Sequence, residues 1–173
     1  MEHRTAKAIW FEFTDKLIQM AYAIFGEAEA PITEKGASDP KVVAMTLLAR
    51  TLSHFKSVVA LTREGMVVEA RILTRCCFEN LLWIGGLAGQ GDEFVRAKFH
   101  DEARSSKVRG EFILRQAYEL DEKVEQRLRA RLRNLNKRSP KNKSLNPKDV
   151  AEKSVLRHAY LIYSQLSAVS LSG

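Results

Sequence analysis

Two cysteines, four prolines and nine glycines in 173 residues leave little from which to build a disulfide framework or a fold of short strands and tight turns. Cys76 and Cys77 are adjacent. On a helix they point about 100° apart and cannot easily bridge each other. With no C-x-x-C they read as reduced core thiols whose apolar neighbours raise, rather than lower, the thiol pKa. Also missing are a glycine-rich phosphate loop, G-x-S-x-G and H-E-x-x-H. His3, His54, His100 and His158 are scattered, none in Glu-x-x-His or His-x-x-x-His spacing. His100, Asp101 and Glu102 are consecutive, and consecutive residues of a helix do not face one point. No metal and no cofactor are implied. The first residues carry charge without an apolar signal-peptide core, and the uncharged run at 80–90 is about half the length a bilayer span needs. The expectation is a cytoplasmic protein with no membrane partner.

What is present is helical. The chain is 45% hydrophobic, enough for one full core, and its apolar residues recur at three and four rather than at two. This predicts an all-α, single-domain antiparallel bundle of about six helices over residues 1–173. A first helix is predicted over 4–28, with Ile9, Phe13, Leu17, Met20, Ile24 and Phe25 at helical spacing. A turn-rich connector at 30–39 ends in Ser38-Asp39-Pro40, which starts a helix over 40–62 with cap residues and a first-turn proline. After Gly65 comes a buried central helix near 67–88, stopped by Gly85-Gly86 or Gly89. Asp92 caps a fourth helix toward residue 117, with Gly110 as a break or kink, and a fifth runs over 121–134. Asn146-Pro147 opens the last helix, whose Val155, Ala159, Ile162, Tyr163, Leu166 and Val169 fall on one side.

The central segment, residues 69–87, is the most informative. It is apolar on almost every side yet carries Arg71, Arg75 and Glu79 at successive i, i+4 positions, a polar stripe on one face. If it is sealed in the core, the stripe must neutralise itself, and Glu79→Gln then costs about 2–4 kcal/mol because an uncompensated charge is left behind. A structural reading makes it an ion-pair network that fixes helix register, with Glu64 and Glu69 as further acids. A functional reading makes it an anion pocket in which Arg71 and Arg75 face a cleft and Glu79 orients them.

The second charged feature is residues 127–143, which hold Arg127, Arg129, Arg131, Arg133, Lys137, Arg138, Lys141 and Lys143 with no acid between them. These eight charges exceed the net +7 of the whole chain, so the basicity is local. Such a stretch can contact phosphates of nucleic acid or another polyanion. Against that, no Phe, Trp or Tyr occurs between residues 119 and 159 to stack on bases. Leu128, Leu132 and Leu135 give the segment a core-facing stripe flanked by solvated arginines, and nucleic acid is the less favoured partner.

The pattern A-R-x-L-x-R-x-x-x-E at residues 70–79, followed by an apolar run and by Y-x-x-x-S at Tyr163 and Ser167, resembles a family of bacterial helical proteins of unknown function. The resemblance implies an all-helical fold and a polar site made of Arg71, Arg75, Glu79, Tyr163 and Ser167. In that family the terminal helix leads to a histidine, where this chain has Leu171, Ser172 and Gly173. Either the chain continues beyond residue 173 or the site is incomplete, and on the enzyme alternative a residue beyond 173 would complete it. All-α HEPN ribonucleases carry Arg and His with four to six residues between them. The pairs Arg50/His54 and Arg96/His100 are one residue short of that range. The leading expectation is a binding protein, an oligomeric accessory or defence-related factor without catalysis of its own. The alternative is an RNA-directed hydrolase or anion-binding enzyme using Arg71, Arg75 and Glu79.

Overall fold

A computed structural model describes residues 2–28, 33–116, 121–138 and 144–169, without the side chains of 2–6, 136–138 and 169. Among the described residues there are seven α-helices and no strand, so the chain is all-α. The helices are α1 (Glu2–Glu27), α2 (Pro40–Arg63), α3 (Val67–Gln90), α4 (Asp92–Gln116), α5 (Glu122–Arg138), α6 (Pro147–Glu152) and α7 (Ala159–Val169).

The start of α2 follows from its cap residues. Asp39 Oδ1 accepts the Lys41 N–H at 2.8 Å, Pro40 occupies the first turn, and Thr33 Oγ1 donates to Asp39 Oδ2 at 2.6 Å. The Thr33 hydroxyl first, and then the Lys41 amide, hold the Asp39 carboxyl below the usual carboxylate range. Gly65, at φ +80°, turns the chain from α2 into α3. At α5, Asp121 Oδ1 accepts the Lys123 N–H at 2.9 Å.

Four sequence expectations are corrected. First, α3 runs through Gly85, Gly86 and Gly89 and ends at Gly91, whose φ is +50° and whose N–H donates to the Leu87 carbonyl. The reason lies in packing. A Cβ at Gly85 would collide with Ser154 Oγ and come within 3.1 Å of Leu156 Cδ1, so this glycine serves close approach rather than termination. Second, Gly110 does not break α4. A Cβ there would lie 2.8 Å from Leu132 Cδ2, so it too admits a neighbour. Third, the last helix is two pieces, α6 and α7, separated by turns at 153–158. In that turn Val155 leaves the expected apolar side and is 92% exposed. On α7 itself Ile162 is exposed as well. Asp92, expected to cap α4, instead accepts from Lys35 Nζ with both carboxylate oxygens, at 2.9 and 2.8 Å.

The chain forms two compact units, Met1–Asp92 with Pro147–Gly173, and Glu93–Asn146. In the first, α2 and α3 form a hairpin, α1 lies on α2, and α6 and α7 lie on α3. Asp15 pairs with Arg63 and Tyr22 with Lys56, so α1 runs opposite to α2. Leu47, Leu52 and Val59 of α2 and Leu82, Trp83 and Leu87 of α3 are buried. Helix α3 is not buried along its whole length. Val67, Val68, Arg71 and Ile72 are exposed, and apart from Ala70 the buried residues of α3 lie between Asn80 and Leu87, where Ser154 and Leu156 approach. In the second unit Leu128 and Leu132 pack over Gly110. Among the described helices α2 alone is long and apolar enough to cross a membrane by length and composition.

Candidate functional site

Arg75, about a third of the way along α3, is the hub of a cluster built with α7. Its Nε donates to Ser167 Oγ at 3.1 Å, and its Nη2 donates to the Tyr163 hydroxyl at 3.2 Å. The same Nη2 lies 3.5 Å from Glu79 Oε2, one turn along α3. The guanidinium carbon sits 5.2 Å from the centroid of the Tyr163 ring. Residues 163 and 167 are four apart and so share a face of α7, which is why both reach one arginine. Tyr160 lies on the same side, its ring 5.9 Å from that of Tyr163. Sequence reasoning passed over it, although a second tyrosine at i−3 marks a shared face.

The protons of this cluster are fixed by its geometry. Ser167 Oγ donates to the Tyr163 carbonyl at 2.9 Å, which leaves its lone pairs for Arg75. With its proton on a carbonyl rather than on a base, Ser167 is a positioning group and not an activated nucleophile. The Tyr163 oxygen accepts from Arg75, so its own O–H is available to donate elsewhere. Arg75 Nη1 has no partner among the described residues.

The stripe is not sealed in the core. The Arg75 and Glu79 side chains are each 33% exposed, and Arg71 is exposed with no partner among the described residues. Each i+4 step rotates by about 40°, so Arg71 and Glu79 flank Arg75 on opposite sides, and Arg71 is the exposed one. The structure thus brings Arg75, Glu79, Tyr163 and Ser167 together and leaves Arg71 at the rim. Asn80, next to Glu79, is 3% exposed and its Nδ2 has no hydrogen-bond partner among the described residues. Nothing in its sequence context signalled this.

The basic segment is built differently. Arg127, Arg129, Arg131 and Arg133 on α5 are exposed, and Leu132 between them is buried. Arg129 is paired within its own helix, with Nε and Nη2 each 2.7 Å from Glu125 Oε1. Arg131 borders a crevice with Ser106, Arg109 and Ile113 of α4. The side chains of Lys137, Arg138, Lys141 and Lys143 lie outside the described residues.

The cysteines are unpaired. Burial, with Cys76 beside it, pushes the Cys77 thiol up to about 11, and its sulfur meets the Thr51 carbonyl at 3.8 Å. That thiol is a poor nucleophile at neutral pH. No group of three or more potential metal ligands occurs among the described residues.

A family model, a family of unknown function, matches residues 41–170, from the start of α2 to the end of α7. The chain belongs to this family, DUF5677. No curated protein and no solved structure matches it. The DUF5677 match takes in all of Arg71, Arg75, Glu79, Tyr163 and Ser167 and leaves α1 outside.

Proposed function

We propose that this protein acts by binding, and that the α3–α7 cluster receives an oxyanion such as a phosphate group. The observation that carries this reading is the state of Arg75. Its Nε and Nη2 are held by Ser167, Tyr163 and Glu79, while Nη1 has no described partner and the side chain is one third exposed. Such a guanidinium is oriented in advance and keeps its Nη1 donors in hand, which suits a charge-assisted hydrogen bond to a phosphate or carboxylate oxygen. The Tyr163 O–H supplies a further donor, and exposed Arg71 adds charge one turn away. Glu79 opposes the anion electrostatically and sets a ceiling on affinity. The two unpaired thiols support a reducing, cytoplasmic setting. We extend the reading to an accessory role, one that a defence-related factor also fits.

The test is titration of the full chain with inorganic phosphate, followed by calorimetry or by amide chemical shifts. Saturable binding is expected, weakened roughly 10- to 100-fold by Arg75→Gln, the effect of losing a charge-assisted hydrogen bond worth about 1.5–3 kcal/mol. Arg71→Gln should weaken it less. Binding unchanged in both variants overturns the proposal. Ribonuclease activity that disappears in Glu79→Gln would move the protein to the hydrolase reading.

A further inference from the structure

Helix α1 turns one face to α2 and the other to solvent, and the two faces are related by a two-residue shift. Phe11, Asp15 and Tyr22 meet α2, where Arg63 lies 2.7 Å from Asp15 Oδ2 and 5.0 Å from the Phe11 ring, and Lys56 Nζ is 3.0 Å from the Tyr22 hydroxyl. Ile9, Phe13 and Met20 stand two residues earlier, about 200° around the helix, and Ile24 continues their line. All four are exposed, between 49% and 61%. Trp10, 68% exposed, stacks edge-on against Phe13 at 6.1 Å. With Trp10 these make five large apolar side chains, each between 49% and 68% exposed, on one helix.

We infer that α1 is a self-association element, and that a second copy of this chain packs on it antiparallel. The spacing of the stripe identifies this occupant. Residues 9, 13, 20 and 24 are separated by four, seven and four, a palindrome centred between Lys16 and Leu17. Inverting a second α1 therefore sets Ile9 against Ile24 and Phe13 against Met20, and the reverse on the other side of the two-fold axis, as an isologous interface requires. Lys16 interrupts the stripe but is neutralised by Glu12 at 2.7 Å, so no unpaired charge enters the seam. Because α1 lies outside the family match, self-association is an attribute of this chain's N-terminal helix and not of the α3–α7 cluster.

Sedimentation equilibrium of the full chain tests this. A dimer is expected, and Phe13→Lys with Met20→Lys should raise its dissociation constant at least about 100-fold, since each copy then loses two central apolar anchors. Both positions are exposed, so helicity by circular dichroism should be unchanged. Register is read separately: Leu17→Cys, at the two-fold axis, should oxidise to a linked dimer readily, whereas Ile24→Cys, distant from its mate, should not. A monomer at every concentration, or a dimer indifferent to the double variant, overturns the inference. So does equal linkage at both positions. Monomeric protein that floats with phosphatidylglycerol vesicles, and stops doing so in the double variant, would assign the face to a lipid surface instead.

Discussion

Arg75 and Arg129 are both helical arginines with an acidic residue one turn away, yet they do opposite work. Arg129 is neutralised by Glu125, which precedes it on the same helix, at 2.7 Å and in water. Arg75 keeps its acid at 3.5 Å and is fixed chiefly by two neutral oxygens from a helix far along the chain. Residues 127–143 hold the densest run of basic charge, eight of the chain's 28 lysines and arginines, while the arrangement proposed to take a ligand stands in a segment with two arginines. Charge density measures solvation and general attraction to anions; orientation by tertiary contacts measures selectivity.

The largest effect that tests this contrast lies on the apolar side of α5. Leu132→Ala should destabilise the protein by about 2–4 kcal/mol in urea unfolding, because Leu132 is buried against Gly110 and its loss leaves a cavity. A near-zero change would mean that the arginines, not the leucines, hold α5 in place. Glu79→Gln comes next. With the pair one third exposed, the loss should be about 1 kcal/mol or less, against the 2–4 kcal/mol expected of a sealed stripe. Phosphate affinity should at the same time rise about two- to five-fold as the opposing charge goes. A large loss of stability would return the cluster to a purely structural role. Smallest of all, Arg129→Gln with Arg133→Gln should shift stability by under about 0.5 kcal/mol and leave a generic oligonucleotide unbound at physiological salt. Tight binding there, abolished by the pair of substitutions, would make α5 the functional surface.

Local chemistry made much of the fold legible. Asp39-Pro40 and Gly65 mark the bounds of α2, and the 3.6-residue period of α1 to α5 needs no partner to be seen. The meeting of Arg75 with Tyr163 and Ser167 was foreshadowed only by two i+4 patterns and a family resemblance, since periodicity within a helix says which residues share a face and not which other helix covers it. Gly85 and Gly110 misled for the same reason: a glycine that ends a helix and one that admits a neighbour look alike until the neighbour is known. The break at 153–158 carries no proline or glycine, and Val155 within it follows the apolar period of α7 while standing in solvent.

The interruption of the first compact unit by Glu93–Asn146 has a consequence for the order of events during synthesis. Arg75 and Ser167 are 92 residues apart, so at about 5–20 residues per second a ribosome delivers the second some 5–20 s after the first. A helical hairpin such as α2–α3 forms within a small fraction of that interval. The nascent chain therefore passes through a stage in which α3 is folded on α2 while the surface that α6 and α7 will cover is still bare, and any ligand for Arg75 meets a half-built receptor until the last two helices emerge.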